Sequence, residues 1–413
     1  MAIERLLGLM AEKKASDLIL AAGTPPQIKI NGTTVPVSQQ SMTPEAVVAL
    51  LREALTDEQW RQYERDQELN VGFGLRDIGS FRFSVFRQRN STAAVIRYIP
   101  GDVPSFESLN LPPILTQLVM EPRGLILVVG ATGSGKSTTL ASLIDHRNQS
   151  RSGHILTLED PIEFTFKHKR SVVSQRQIGT DTESLTVALR NALRQAPDCL
   201  MIGEIRDAET MNAAVTFAQS GHLVMATLHA NNAPHALTRI VNFYAAENRR
   251  VMLTDLASTL KVVISQRLVK AVSGGRAAAV EILLNTTLIS ELIEQARLPE
   301  IKDAMEKSMA PGSQTFERAL VDLIRTKRVT KNDALAQSDS PTNLLWLLEN
   351  SEETVNLPRP NTGLPTLSMS ATPPTTPPAG SPGANATSAT SATSPTTPPA
   401  VPGASFSEFM LNI

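Results

Sequence analysis

Residues 130–137 read Gly-Ala-Thr-Gly-Ser-Gly-Lys-Ser and fit the G-x-x-x-x-G-K-[ST] pattern of a phosphate-binding loop. Its glycines allow tight turns that point successive backbone N–H groups at one anion. Lys136 is expected to reach the β- and γ-phosphates of a nucleoside triphosphate, and the Ser137 hydroxyl to hold Mg²⁺. The sequence therefore predicts that ATP and Mg²⁺ are bound by Gly130, Ala131, Thr132, Gly133, Ser134, Gly135, Lys136, Ser137 and Thr138.

Three carboxylates follow the next apolar run, residues 154–158, at Glu159, Asp160 and Glu163. Carboxylates at the end of a strand and close to a bound triphosphate suit metal binding or the activation of water. We predict Glu159 as a metal ligand and Glu163 as a catalytic residue. An acidic turn on the surface is the alternative interpretation.

A third predicted buried strand, residues 198–202, leads into Gly203 and Glu204. An acidic residue that closes such a strand downstream of a phosphate loop is the Walker B pattern, which holds Mg²⁺. Gly203 occupies the position where that pattern commonly has Asp, so Glu204 is predicted to serve the metal. Glu163 is then the better candidate for polarising the attacking water, although the sequence leaves the reverse assignment open.

His229 ends a further predicted strand, residues 221–229, and we expect it either to sense the γ-phosphate or to be structural. Arg82 and Arg97 lie on two predicted strands, 80–86 and 93–99. They either face water or reach a phosphate that is bound by a neighbouring subunit, as arginine fingers do. The second interpretation leads to the hypothesis that ATP sits between subunits.

The elements that would position these residues divide into two α/β units. Residues 125–129 form an apolar run typical of a buried strand, and 138–144 are predicted to form the helix after the loop. Because open parallel sheets bind ligands at the carboxyl ends of their strands, the candidate residues are expected to converge there. We predict a first domain over 1–100, a linker over 101–112 and the loop-bearing domain over 113–350.

The first unit carries several local signals. Strands are predicted at 16–20 and 27–30, with a hairpin turn at Asn31-Gly32, and a capping box at Thr56 begins a helix.

The C-terminal part of the chain is predicted to be helical at first and disordered at its end. Helices are predicted at 256–268 and 283–305, followed by helical patterns at 316–324 and 344–348. Residues 351–413, rich in Pro, Thr, Ser and Ala, are expected to be disordered. The apolar residues 406–411 are either a frayed end or a docking peptide.

Composition excludes several classes of protein. The chain has 413 residues, a formal net charge of −1 and one cysteine, Cys199, so an internal disulfide and a cysteine-held zinc site are excluded. The charge and the 4% aromatic content disfavour nucleic acid as a partner. The sequence shows no signal peptide and no apolar run long enough to span a membrane. We expect a soluble cytoplasmic protein that docks on a membrane complex.

Four segments resemble the Walker A, Asp-box, Walker B and His-box motifs of type II/IV secretion ATPases: 130–137, 157–163, 203–207 and 221–229. Within these secretion ATPases, the twitching-motility branch is the PilT/PilU family. Its N-terminal domain is similar to this chain at residues 16–18, 25–32 and 79–83. The resemblance implies a PAS-like N-terminal domain, a RecA-like ATPase domain and a homohexamer with ATP between subunits. It also implies that Glu163 activates water, that Glu204 binds Mg²⁺, and that Arg82 and Arg97 reach the nucleotide across the interface.

The resemblance further implies work at the cytoplasmic, inner-membrane base of a type IV pilus, on a platform protein, where ATP hydrolysis drives retraction. The single cysteine cannot build the four-cysteine zinc element of the extension ATPases. Residues 285–295 lack the arginines of the corresponding PilT segment, and 182–184, 194–197 and 229–232 are more similar to PilU members. We expect an accessory retraction motor that works with a PilT-like ATPase. An ATP-binding adaptor that does not hydrolyse is the alternative.

Overall fold

The computed structural model describes residues 2–30, 33–75, 78–99 and 103–350. Three features expected from the sequence fall outside these ranges: the Asn31-Gly32 turn, the start of the linker at 101–102, and the tail from 351 onward. All of the described residues belong to one compact unit. Among the described helices none is both long and apolar enough to cross a membrane.

The first part of the chain forms one antiparallel sheet and three helices. Its six strands run in the order β3-β2-β1-β6-β5-β4. The elements are α1 (Ala2–Glu12), β1 (Asp17–Leu20), β2 (Gln27–Ile30), β3 (Thr33–Pro36), α2 (Pro44–Arg52), α3 (Asp57–Asp66), β4 (Glu68–Leu75), β5 (Gly79–Gln88) and β6 (Ser91–Ile99).

The three helices cover one face of this sheet. Leu7 of α1, Leu51 of α2 and Trp60 of α3 are buried against Phe81 and Phe83 of β5. The alternation of buried and exposed positions along β5 is typical of a strand with one buried face. The Thr56 capping box is confirmed, because the Gln59 backbone N–H donates to Thr56 Oγ1 and the Thr56 N–H donates to Gln59 Oε1.

The second part of the chain begins with two short helices and continues as alternating strands and helices. The elements up to the last parallel crossover are α4 (Phe106–Leu109), α5 (Ile114–Leu118), β7 (Gly124–Val129), α6 (Lys136–Ser150), β8 (Gly153–Glu159), β9 (Ser171–Gln177), α7 (Leu185–Ala192), β10 (Cys199–Ile202), α8 (Ala208–Gln219), β11 (Leu223–Leu228), α9 (Ala233–Asn242) and α10 (Arg249–Thr259). The remaining elements are β12 (Leu260–Lys270), β13 (Arg276–Leu284), α11 (Thr287–Glu294), α12 (Ile301–Glu306), α13 (Phe316–Arg325), α14 (Lys331–Leu335) and α15 (Pro341–Asn350).

These strands form a seven-stranded sheet in the order β13-β12-β7-β11-β10-β8-β9. All neighbouring pairs are parallel except β12 and β13. Every residue of β7 is buried, because helices cover both faces of the sheet. The carboxyl ends of β7, β11, β10 and β8, which are adjacent in the sheet, therefore lie along one edge.

The predicted helix over residues 256–268 is wrong. Helix α10 ends at Thr259, and the chain continues as β12, which pairs with β7 on one side and β13 on the other. The run rich in β-branched residues at 262–264 fits a buried strand, and a hairpin turn follows in which Gly274 and Gly275 have positive φ. Likewise, the single helix predicted over 283–305 is wrong: β13 continues to Leu284, and two helices, α11 and α12, follow it.

The last helices close the far end of the β12–β13 hairpin. Phe316 and Leu320 of α13 and Leu344 of α15 are buried with Val269 of β12 and Ala279 of β13. The helical patterns at 316–324 and 344–348 are confirmed by α13 and α15. The proposed division at residues 100 and 113 stays a prediction.

Candidate active site

The phosphate-loop segment connects β7 to α6 at the edge defined above. A Cβ at Gly130 would lie 2.6 Å from the backbone oxygen of Gln266, so only glycine fits there. Gly135 has φ 87° and precedes the first residue of α6, which is a conformation that L side chains rarely adopt. The loop therefore ends at the N-terminus of a 15-residue helix, where N–H groups and the helix dipole favour an anion.

Lys136 is the first residue of α6 and is 8% exposed. Its ammonium donates to the backbone oxygens of Gly130 at 2.8 Å and Ala131 at 3.0 Å. Burial lowers the pKa of Lys136, and the negative charges of Glu204 and Glu163 act in the opposite direction. A desolvated cation that faces two carboxylates across a cavity is a suitable partner for an anionic phosphate.

Glu159 ends β8 and is buried, at 7% exposure. Its Oε1 accepts hydrogen bonds from Thr157 Oγ1 at 2.7 Å and from Gln175 Nε2 at 3.1 Å. Burial raises the pKa of Glu159, and these hydrogen bonds, which favour the ionised form, offset part of that rise. Its side chain is thus fixed in one position at the end of the strand.

Gln175 of β9 also holds the acidic loop that follows β8. Its Nε2 donates to the backbone oxygen of Phe164 at 2.8 Å, and its Oε1 accepts from the backbone N–H of Phe166 at 2.8 Å. One amide therefore fixes two backbone groups next to Glu163, whose carboxylate is exposed. The sequence analysis missed Gln175 because it missed β9, for which the β-branched pair Val172-Val173 is the local strand signal.

Glu204 lies in the turn after β10, and both of its carboxylate oxygens have partners. Oε2 accepts from Arg206 Nε at 2.6 Å, and Oε1 lies 3.2 Å from His229 Nε2. The turn is held to β11, because Thr227 Oγ1 donates to the Gly203 oxygen and the Ile205 N–H donates to the Thr227 oxygen at 2.9 Å. Arg206 was not among the predicted site residues.

One cavity of about 470 Å³ is bordered by residues from all four strand ends. It brings together six of the predicted residues: Lys136, Ser137, Glu159, Glu163, Glu204 and His229. Thr132 and Gly133 also line it, whereas Ala131 borders a second, shallower cavity beside His229. The remaining predicted loop residues, Gly130, Ser134, Gly135 and Thr138, belong to the same loop and helix start but are not among the lining residues.

Arg82 and Arg97 do not line this cavity within the same chain. They are cross-strand neighbours on β5 and β6. Arg97 Nε donates to Asp17 Oδ1 at 3.0 Å, and its side chain remains 67% exposed. Arg82 borders a separate cavity together with Pro161 and Ile162.

The described residues contain no group of three or more His, Cys, Asp or Glu side chains that could hold a metal ion by themselves. The oxygen donors that line the cavity include the three predicted metal ligands, the Ser137 hydroxyl and the carboxylates of Glu159 and Glu204. Mg²⁺ prefers oxygen ligands, keeps several waters and is usually completed by phosphate oxygens. The donor set therefore fits Mg²⁺ that arrives with a nucleotide.

Comparisons with known proteins agree with this geometry. A profile of the family described as type II/IV secretion system protein matches residues 24–320. The chain is 45% identical over 354 residues to the type IV pilus ATPase PilU of Pseudomonas aeruginosa, covering 86% of this chain and 93% of PilU. It is 37% identical over 343 residues to the type IV pilus retraction ATPase PilT of the same organism, covering 83% of this chain and all of PilT.

Solved structures show the same fold. The crystal structure of the pilus retraction motor PilT with bound ADP matches with a TM-score of 0.77 and 39% identity, over 83% of this chain and 99% of that one. The Legionella pneumophila ATPase DotB matches with a TM-score of 0.71 and 25% identity, over 81% and 94% of the two chains. The expected α/β class is confirmed, and the chain belongs to the type II/IV secretion system protein family as a nucleotide-binding ATPase of the PilT/PilU branch.

Proposed function

We propose that this ATPase powers type IV pilus retraction and twitching motility as a PilU-like accessory motor, together with a PilT-like partner. The observation that carries the proposal is the single cavity in which the ends of four adjacent strands place Lys136, Glu159, Glu163, Glu204 and His229. The PilU and PilT relatives, which are named as type IV pilus ATPases, supply the cellular process.

The phosphate loop would hold the triphosphate of ATP. Backbone N–H groups of the loop and of the first turn of α6 would bind phosphate oxygens. Lys136 would exchange its bonds to the Gly130 and Ala131 oxygens for bonds to the β- and γ-phosphates. Its partial desolvation makes each such charge-assisted bond stronger than it would be in water.

We propose that Mg²⁺ is bound, directly or through water, by Ser137, Glu204 and Glu159. The ion would neutralise charge on the phosphate oxygens during transfer. Glu204 is suited to a fixed role because Arg206 and His229 hold both of its oxygens.

Glu163 is the residue we propose for activating water. Its carboxylate makes no hydrogen bond or ion pair with the described residues, whereas Gln175 fixes the backbone around it. A carboxylate with unoccupied oxygens can accept the proton of an attacking water. His229 would respond to the γ-phosphate from the end of β11 through its contact with Glu204.

We further propose that the protein works as a cytoplasmic homohexamer on an inner-membrane platform protein at the pilus base, without a nucleic-acid partner. In such a ring Arg82 and Arg97 would reach the nucleotide of the neighbouring subunit. The separation of both arginines from the cavity of their own chain is compatible with this role.

Phosphate release by the purified full chain, compared with Lys136→Ala, tests hydrolysis. We expect turnover in the wild type and a loss of roughly 10²-fold or more in the variant. Binding of ATP without turnover in the wild type would instead identify a non-hydrolysing adaptor.

Deletion of the gene in the cell, with complementation by wild type or Lys136→Ala, tests the motor function. We expect excess pili and lost twitching unless the wild-type gene is supplied. Unchanged pilus number and twitching after deletion would contradict the retraction role.

A further inference from the structure

The segment between His229 and α9 is held at three successive residues by side chains from distant parts of the chain. The Asn231 backbone oxygen accepts from Arg267 Nη2 at 3.1 Å, and Asn232 Nδ2 donates to Asp339 Oδ2 at 3.1 Å. The backbone N–H of Ala233 donates to Glu281 Oε1 at 2.7 Å. We call Arg267, Glu281 and Asp339 the anchor cluster. None of these residues lines the cavity that contains Lys136 and Glu204.

Glu281 is the buried member of the anchor cluster. It lies on β13 at 4% exposure, and its Oε1 also accepts from Ser265 Oγ at 2.9 Å. Burial raises the pKa of Glu281 to about 7. An ionisable group of this kind is costly to bury, and an apolar residue would fill the same space more cheaply. What Glu281 supplies is an acceptor for the first N–H of α9, the helix that begins four residues after His229.

Arg267 joins this segment to the last helices. Its guanidinium stacks over the ring of Phe316, the first residue of α13, at 4.0 Å from the ring centroid. Its Nη1 donates to the Gln337 oxygen at 2.6 Å, and its Nη2 lies 2.5 Å from Asp339 Oδ1. The side chain is only 16% exposed, so these contacts fix it firmly.

Asp339 is in turn tied to the helical end. The backbone N–H of Ser340 donates to Glu317 Oε1 of α13 at 3.1 Å. Asp339 therefore bonds Asn232 with one oxygen and Arg267 with the other, while the next residue, Ser340, is held to α13. Contacts thus run from α13 through Asp339 and Arg267 to residues 231 and 232, and Glu281 of β13 holds residue 233 separately. From this segment the chain leads back to His229 and its contact with Glu204.

We propose that Arg267, Glu281 and Asp339 are positioning residues for ATP hydrolysis: they hold His229 against Glu204 and make turnover depend on the docking of α13–α15. The proposal rests on the role assigned to His229 above. A displacement of α13–α15 would then slow hydrolysis at a cavity that these helices do not line, because small errors in the position of a catalytic group cost large factors in rate.

Steady-state phosphate release and the affinity for a fluorescent ATP analogue, measured on the full chain, test the proposal. We expect Asp339→Ala, Arg267→Lys and Glu281→Leu to lower kcat about tenfold or more and to leave nucleotide affinity within about twofold. Glu281→Gln keeps an oxygen acceptor for the Ala233 N–H, so it should retain most of the turnover. Glu300→Ala is the control, because it removes an exposed ion pair with Arg297 and belongs neither to α13–α15 nor to the anchor cluster.

The measurements distinguish a failure of the positioning role from a failure of the proposed function. If His229→Ala lowers kcat but Asp339→Ala and Arg267→Lys do not, the positioning role is wrong and the proposed function stands. If His229→Ala leaves kcat unchanged, the role of His229 itself is wrong. A parallel loss of affinity and turnover in the anchor variants, or an equal loss in Glu300→Ala, would show a general structural effect and overturn the proposal. Should Glu281→Leu fail to fold, the partly exposed Asp339 still gives the answer.

Discussion

The Nε2 atom of His229 lies 3.2 Å from Oε1 of Glu204, which joins the end of β11 to the turn after β10. The other oxygen of Glu204 accepts from Arg206, so this carboxylate is held on both sides. The carboxylate of Glu163, which lines the same cavity, makes no hydrogen bond or ion pair with the described residues. The two glutamates whose roles the sequence left interchangeable therefore differ in structure: Glu204 is fixed and Glu163 is available.

Glu163→Gln and Glu204→Gln should fail in different ways. Removing the available carboxylate is expected to lower kcat by roughly 10²- to 10³-fold while ATP binding persists, because general-base catalysis contributes factors of that size. Glu204→Gln, which removes the fixed carboxylate, should raise the Mg²⁺ concentration needed for half-maximal activity. Phosphate release titrated with Mg²⁺ measures both effects. The opposite pattern would exchange the two roles.

Gln175→Ala should slow hydrolysis about tenfold, because it frees the backbone of Phe164 and Phe166, just after Glu163, and removes a hydrogen bond to Glu159. Loss of that bond should raise the pKa of Glu159 further above its ordinary value, and the acid limb of the pH–rate profile should move to higher pH if the ionised form is active. Val172→Ala, at an exposed position of the same strand, is the control. An unshifted profile with normal kcat would count against the role of Gln175.

Glu281 should make stability depend on pH. Burial raises its pKa from 4.5 to about 7, so the folded protein retains a proton that the unfolded chain has lost between these values. Its contribution to stability is therefore complete below pH 4.5 and is lost as pH rises through 7. Each pKa unit corresponds to about 1.4 kcal/mol, so the total is on the order of 3 kcal/mol.

Glu281→Gln cannot ionise and should be free of this loss. Its Tm relative to wild type should therefore rise between pH 5 and pH 8, as measured by thermal unfolding at each pH. Glu306→Gln, at an exposed position, should show no such trend. A constant difference between Glu281→Gln and wild type across this range would contradict the raised pKa.

The sequence located most of the candidate site because the relevant strands are buried on both faces. Such strands are mostly apolar, and motif residues lie at their carboxyl ends: Glu159 is the last residue of β8, and Glu204 comes two residues after β10. The wrong predictions of secondary structure have a different origin. The run 256–268 has apolar spacing that fits a helix as well as a strand, and pairing with β7 decides the matter.

Contacts between distant residues were not predictable in the same way. Thr139 Oγ1 donates to Gln266 Oε1 at 2.7 Å across 127 positions of sequence, so a residue of the missed β12 supports the helix after the phosphate loop. Glu281 is a similar case, since nothing in its neighbourhood of alanines and aliphatic residues indicates that it accepts from the start of α9. Tertiary packing, which local patterns do not contain, selects these partners.

Arg82 and Arg97 can be tested for action across a subunit interface by mixing variants. A subunit with Arg82→Ala and Arg97→Ala retains Lys136, and a Lys136→Ala subunit retains both arginines. Each variant alone should be nearly inactive, but in a randomly mixed ring about a quarter of the interfaces pair an intact Lys136 with intact arginines. Phosphate release should therefore recover when the two proteins are mixed and allowed to exchange subunits.

The alternative is that Arg82 acts within its own chain, where it borders a cavity with Pro161 and Ile162 of the acidic loop. In that case the mixture would contain no complete site and would stay inactive. Arg97→Ala also frees Asp17, its ion-pair partner, so Asp17→Ala serves as the control for loss of that exposed pair. Full activity of the doubly substituted protein on its own would remove both arginines from the reaction.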